Sequence, residues 1–270
     1  MARSVHTYST SAIVLRNRNL GEKDRIMTLL SPEIGKFSAV AKGSRAPKSK
    51  LAAVSQSFTL ARFLIARGRS LDIATQAEVE QAHTHITGDL LRTAWATYLC
   101  ELCDFVPEHQ PDEELFETMR LALERLNGEA ATRDDIELAG LWFEARFLSI
   151  LGYAPTLGRC VVCGERIVVA PDELSRQVPF SAALGGTLCA TCSPRDPART
   201  SLLAEALRAL HRLERAAQPP SSQNIELTTA ARRDLRSSLR GLLVAHLEIR
   251  PRSQKFLDEI TAEIGTASTP

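Results

Sequence analysis

Four cysteines carry the most specific chemistry in this sequence. They stand as Cys160-Val161-Val162-Cys163 and Cys189-Ala190-Thr191-Cys192, two C-x-x-C knuckles with 25 residues between Cys163 and Cys189. Two residues between sulfurs let both thiolates of a knuckle reach one ion from a tight turn, and Gly164 supplies the left-handed backbone such a turn favours. Four thiolates make a closed tetrahedral shell for one structural Zn2+, with no open position for water; such a site holds a fold together and does not catalyse. Cys160, Cys163, Cys189 and Cys192 are therefore the expected metal ligands, with a pair of redox dithiols as the alternative. Strand signals at Ile167-Val168-Val169, Val178-Pro179-Phe180 and Gly185-Gly186-Thr187-Leu188 fit a ribbon between the knuckles. A third C-x-x-C, Cys100 to Cys103, lies inside a helical apolar stripe and reads as two buried thiols. His83, His85, His211 and His246 have no ligand pattern around them and read as surface or core histidines.

The second feature is electrostatic. Residues 34–71 contain no acid and eight cations: Lys36, Lys42, Arg45, Lys48, Lys50, Arg62, Arg67 and Arg69. Residues 1–80 hold 13 lysines and arginines against 6 acids, while the remaining chain is acidic, and the two nearly cancel to a net charge of +1. A basic module thus precedes a mildly acidic body, and a cationic face of this kind attracts a polyanion through counterion release. A solvated basic loop between strands is the plainer reading. No P-loop, dinucleotide fingerprint or nucleophile elbow is present, and the acidic pair Asp134-Asp135 falls at a helix start, where carboxylates favour the dipole. A non-catalytic protein is expected.

The elements that must position these residues follow from periodicity. Apolar runs at Ser11–Leu15, Ile26–Leu30, Phe37–Ala41, Phe58–Ala66 and Leu71–Ala74, broken by Gly and Pro turns, predict five short strands. Five strands in about 70 residues fit a small barrel of the oligonucleotide-binding (OB) or SH3-like kind. From about Glu78 the period becomes helical. Helices are expected at 90–102, from an N-cap at Asp112 to Asn127-Gly128, from about Arg133 to Leu151 with Gly152 closing it, over Leu202–Leu213, from Thr228 to Pro251, and briefly around Phe256-Leu257-Ile260. Their apolar stripes predict one bundle interrupted by the cysteine segment. There is no apolar run of membrane-spanning length and no secretory leader pattern in the first fifteen residues, so no membrane association and a cytoplasmic location are expected.

The runs Ala12-Ile13-Val14-Leu15, Gly21-Glu22-Lys23-Asp24-Arg25-Ile26, Thr28-Leu29-Leu30, Gly35-Lys36 and Ala41-Lys42-Gly43-Ser44-Arg45 resemble the N-terminal signature of the bacterial recombination-repair family RecO. Phe143-Glu144-Ala145-Arg146-Phe147-Leu148, Leu151-Gly152-Tyr153-Ala154-Pro155, the Cys160/Cys163 knuckle, Phe180-Ser181, Gly185-Gly186, and Ser253 with Phe256-Leu257 are similar to its second half. Several members of that family lack some or all of the four cysteines. The resemblance implies an α+β, multidomain chain: an N-terminal small β-barrel of the OB-fold type, an α-helical bundle domain and an inserted zinc-ribbon-like segment. The corresponding boundaries are 1–80 for the barrel, 81–158 and 199–270 for the two parts of the helical domain, and 159–198 for the zinc-binding insertion.

It further implies binding of single- and double-stranded DNA, strand annealing, work with RecR, and help to RecA in replacing the single-strand-binding protein (SSB), in the cytoplasm at the nucleoid. The acidic, apolar-tipped SSB tail would dock on the helical domain; the arginines of 208–215 and 232–240 are both candidate receptors, and the sequence does not choose between them. On the barrel, Arg16, Lys23, Arg25, Lys36, Lys42, Arg45, Lys48 and Lys50 are expected to follow the phosphate backbone without reading sequence. Phe37 is expected either to stack on a base or to fill the barrel core. An RNA- or ribosome-binding module with a structural zinc ribbon and a purely structural adaptor are the rival readings.

Overall fold

The computed structural model describes residues 6–46 and 49–266. The chain divides into two compact units, one of residues 1–130 with 251–270 and one of residues 131–250.

The first unit is built on a closed barrel of five strands: β1 (Thr7–Leu20), β2 (Asp24–Ser31), β3 (Gly35–Ala41), β4 (Leu60–Ala66) and β5 (Asp72–Gln81), in the order β1-β2-β3-β5-β4. Only the β3–β5 pairing is parallel, and β4 closes back on β1 from Thr7↔Ala66 to Ile13↔Leu60. Side chains alternate across a strand, so every second residue points in. Ala12 and Val14, Met27 and Leu29, Phe37, Ala39 and Ala41, Ala61, Phe63 and Ile65, and Ala74 fill the interior. The short helix α1 (Lys50–Val54), capped by the Ser49 hydroxyl, adds Leu51 and Val54 to that core.

Two strands run longer than the apolar pattern indicates. The first continues past Leu15 through the polar Arg16–Asn19, because a bulge between Val14 and Arg16 sets two residues opposite one and lets pairing continue to Leu20↔Asp24. The fifth continues past Glu78 to Gln81, paired with β4 through a bulge opposite Leu60 and Ala61, where helical periodicity would start a helix. Pairing with a neighbouring strand outweighs local composition at both places.

Residues on the outer side of β2 and β3 are buried as well: Ile26, Thr28, Leu30, Lys36 and Val40. The helices that follow the barrel cover this outer side. They are α2 (Thr84–Gly88), α3 (Leu90–Asp104) and α4 (Glu113–Asn127), with α8 (Ser253–Thr266) packed along α3. Asp89 and Asp112 accept N–H bonds from Arg92 and Leu115 and so cap α3 and α4. Glu101 accepts from the Arg252 and Ser253 N–H groups and the Ser253 hydroxyl, fixing the start of α8; burial works to raise its carboxyl, but these donors hold it below the usual range.

The chain between α3 and α4 crosses the start of β3. His109 N–H donates to Lys36 O at 2.8 Å, and a Cβ on Gly35 would stand 1.9 Å from Gln110 O. Gly35 also has φ +78, a conformation that costs other residues about 1–3 kcal/mol. Gly35→Ala should therefore lower the unfolding free energy by at least about 2 kcal/mol in a urea titration. An unchanged midpoint would mean that the crossing segment moves away at little cost.

The second unit places α5 (Arg133–Ile150), α6 (Ala204–Arg215) and α7 (Thr229–Leu247) with a three-stranded sheet ordered β7-β6-β8. Its strands are β6 (Gln177–Ser181), β7 (Gly186–Thr187) and β8 (Thr200–Leu203). Thr132 and Asp135 form a reciprocal capping box at α5, and the Thr228 hydroxyl caps α7. Ile167-Val168-Val169 makes no strand, and Leu202 belongs to β8 rather than to a helix. Within the first unit α2–α4 and α8 pack with the barrel, and within the second α5–α7 pack with the cysteine-bearing segment.

Candidate metal centre and nucleic-acid interface

The two knuckles meet. The sulfurs of Cys160, Cys163, Cys189 and Cys192 lie within 4.8 Å of one another, and Cys163 Sγ to Cys189 Sγ is 3.7 Å. A tetrahedron with Zn–S bonds of about 2.3 Å has edges of roughly 3.8 Å, so the spacing suits such an ion. Three of the four cysteines are buried and Cys163 is exposed. Gly164, at φ +77, turns the first knuckle so that its N–H donates to Cys160 O at 2.8 Å. The second knuckle closes through Cys192 N–H and Ser193 N–H, both donating to Cys189 O. Val161 N–H and Leu188 N–H, donating to Thr187 O and Pro179 O, seat both knuckles on the small sheet.

Burial works to raise the Cys160 thiol, yet hydrogen bonds from the backbone of Cys189, Cys163 and Val162 draw it down to about 6. The Glu165 carboxylate, accepting from Cys189, pushes that thiol up to about 12. The donor set favours a thiolate at Cys160, the form that ligates metal. Cys100 and Cys103 are enclosed in α3, and burial pushes both thiols up, so they are inert core groups.

The expected DNA-contacting cations divide by environment. Lys23 lies in the β1–β2 turn; Lys42 and Arg45 follow β3. The turns lie at one end of the barrel because Arg25 pairs with Ala41. They are clasped: Arg45 N–H donates to Lys23 O, Arg45 Nη1 to Gly21 O at 2.7 Å, and Gly43 N–H to Asp24 Oδ1 at 2.7 Å. Lys23, Lys42 and Arg45 are exposed. Arg25 is half-buried, with Nη1 on Ser55 Oγ at 2.9 Å, and Lys50 is exposed at the start of α1, where it lines an open cleft together with Arg62. Lys48 lies outside the described residues.

Arg16 and Lys36 are engaged by the same carboxylate. Arg16 Nε donates to Asp104 Oδ2 at 2.6 Å, and Lys36 Nζ sits on Asp104, bonded to its backbone carbonyl and 3.5 Å from Oδ1. The Lys36 side chain is only 10% exposed. The expectation that Lys36 lies along a phosphate chain is corrected by this burial: it is a cation of the interior, joining β3 to the end of α3. Lys36→Ala should cost about 2–3 kcal/mol of stability, the penalty for leaving a shielded carboxylate with one partner fewer, read from the urea midpoint. An intact midpoint with lost DNA affinity would reverse the assignment. Phe37 is fully buried in the barrel interior and is a core residue, with no face for a base.

Four arginines of the second unit's candidate sets are engaged locally. Arg232 bonds Asp134 and Glu137, and Arg236 bonds Glu137, tying α7 to α5. Arg208 donates to the carbonyls of Val169, Ala170 and Pro171, and Arg212 to Asn224 O.

Comparison with known proteins gives two family profiles that together span nearly the whole chain. Residues 4–83 match "Recombination protein O N terminal" and residues 87–255 match "Recombination protein O C terminal". Similar curated proteins include one from Symbiobacterium thermophilum, 35% identical over 94% of this chain and 97% of its own length. Another is from Desulforudis audaxviator, 34% identical over 93% and 96%. A third, from Synechococcus elongatus, is 35% identical over 94% and 95%. All three are named DNA repair protein RecO.

The chain belongs to the RecO family. Membership supports a role in DNA repair and recombination. None of the described helices is long and apolar enough to cross a membrane. Two parts of the RecO barrel surface escape a reading by composition. Arg18 is exposed one pair along β1 from Arg25, and continuation of the first strand would have flagged it. Asp104, which takes up two cations, sits at the end of a helix with no local sign of its partners.

Proposed function

We propose that the chain is a non-catalytic recombination mediator and strand-annealing protein. It binds single- and double-stranded DNA through the basic end of its barrel and works with RecR and the SSB tail to help RecA onto coated strands, in the cytoplasm at the nucleoid. The barrel order β1-β2-β3-β5-β4 is read as that of an OB fold, and one structural Zn2+ is assigned to Cys160, Cys163, Cys189 and Cys192. The supporting observation is the clasp of the 21–23 and 42–46 turns, which presents Lys23, Lys42 and Arg45 together at one end of the barrel. Arg18 and Arg25 lie beside this set on β1 and β2, Lys50 lines the cleft with Arg62, and Lys48 joins by sequence.

Point charges on short turns grip phosphates without base pockets, so a bound strand stays exchangeable, as annealing requires. Arg16, facing Asp104, contributes field rather than a free guanidinium. The test is a strand-annealing assay on bare and SSB-coated DNA, beside binding of DNA and RNA of equal length across a salt series. Annealing with affinity falling steeply in salt is expected. Tighter binding to RNA and no annealing would favour an RNA-binding module, and no length-dependent binding would favour an adaptor.

A further inference from the structure

Where the barrel hands over to the helices, His83 is buried, 4% exposed, and held in the left-handed region at φ +47. Its Nδ1 lies 2.6 Å from the carbonyl oxygen of Phe58, itself left-handed at φ +71. A carbonyl only accepts, so Nδ1 carries the proton and Nε2 carries the lone pair. Nε2 is buried and meets no hydrogen-bond partner in the protein, and the same is true of the Gln81 side-chain oxygen. Both residues belong to the lining of one cleft of about 500 Å³. An unpaired buried acceptor costs about 1–3 kcal/mol, so two in one cleft call for a donor.

The rest of the lining has the same polarity. Glu124 and Glu129 contribute carboxylates, Asn127 and His85 further polar groups, and no lysine or arginine takes part. His85 Nδ1 lies 2.8 Å from Asn127 O, which leaves its Nε2 as a second imidazole acceptor. Two cations already border the cleft: Arg120 holds Glu117 and one oxygen of Glu124, and Arg92 holds the carbonyls of Leu126 and Gly128. Burial lowers the affinity of His83 for a proton, in keeping with a neutral ring that accepts. A metal ion fits less well, because the four cysteines are the only group of three or more ligating side chains close enough to hold one among the described residues.

We propose that this cleft binds an organic cation bearing N–H donors, an ammonium or guanidinium group, with His83 Nε2 and Gln81 Oε1 accepting its hydrogen bonds and Glu129 supplying the countercharge, while Glu124 stays shared with Arg120. The site is independent of the nucleic-acid role, and its cation comes either from a free polyamine or from an arginine side chain of a partner peptide.

The test is a titration of the full, metal-loaded chain without DNA, following the His83 ring nitrogens by NMR. One arm uses spermidine, the other arginine amide, each against sodium chloride of matched ionic strength. A saturable shift of Nε2, with Nδ1 still protonated, is expected from at least one probe and not from the salt. Spermidine alone would identify a free amine, and arginine amide alone a guanidinium side chain. Because His83→Gln also breaks the tie to Phe58 and Glu124→Gln the pair with Arg120, Gln81→Leu and Glu129→Gln carry the mutational test, each weakening the response at least ten-fold. Failure of both probes to move Nε2, a Nε2 signal explained by bound water alone, or responses in both variants equal to that of the wild type would overturn the proposal. So would two zinc ions per chain with the second on His83.

Discussion

Cys160→Ser is expected to strip the chain of its metal and to unfold the segment around the knuckles. The small sheet is short, with two residues in β7 and four in β8, and the loop over 161–176 contains no strand. The local apolar cluster consists of Cys160, Leu188, Cys189 and Cys192, with Val161, Val162 and Ile167 against it. Without an ion, that cluster is too small to offset the conformational entropy of ordering the loop, roughly 1–2 kcal/mol per residue for the backbone alone. Structural zinc contributes on the order of 10–16 kcal/mol in small sites, and its binding is folding free energy. Elemental analysis should show one zinc per wild-type chain and almost none in the variant. Amide exchange should lose protection across 156–203 while the barrel strands keep theirs. Because thiolates must be deprotonated to ligate, metal held at neutral pH should be released as pH falls, with protons replacing the ion. A zinc-free wild-type chain with full protection would remove the metal from the structure's account.

The double replacement Lys42→Glu and Arg45→Glu is expected to reduce affinity for single-stranded DNA by well over ten-fold at low salt and to flatten its salt dependence. The two positions reverse four units of charge at the exposed end of the barrel, where each phosphate contact contributes a slope of about 0.7 in log affinity against log salt for single strands. Lys42 is exposed with no partner among the described residues, so its replacement removes no internal bond. Arg45 loses its bond to Gly21 O, but its backbone N–H to Lys23 O remains, so the turns should stay clasped. The urea midpoint is expected to shift little, which separates this pair from Lys36, whose loss should act on stability. Unchanged DNA affinity would move the interface away from this end, with the Lys50–Arg62 cleft next in line.

Much of this molecule could be read before any coordinates. The knuckle spacing at 160–163 and 189–192 indicated a four-sulfur centre because the geometry of a C-x-x-C turn is local. Asp112, Thr228 and Gly152 marked helix ends for the same reason: a cap satisfies backbone groups within one turn. The apolar runs at 11–15, 26–30 and 37–41 indicated strands, but which residues of each run face inward came from the closed sheet. Periodicity did not distinguish an OB from an SH3-like barrel, since both have five short strands; the observed strand order comes from which strands meet across distance.

Sequence by itself determined the sulfur set, the basic character of the N-terminal part and a few helix ends such as Asp112 and Gly152, all consequences of neighbours a few residues apart. Only the tertiary structure decided that Lys36 is interior, that Arg16 shares Asp104 with it, and that Arg232 and Arg236 bind the carboxylates of α5. The physical reason is that charge is a property of a residue, whereas solvent access and pairing belong to partners brought close by the fold; Lys36 and Asp104 are 68 positions apart in the chain.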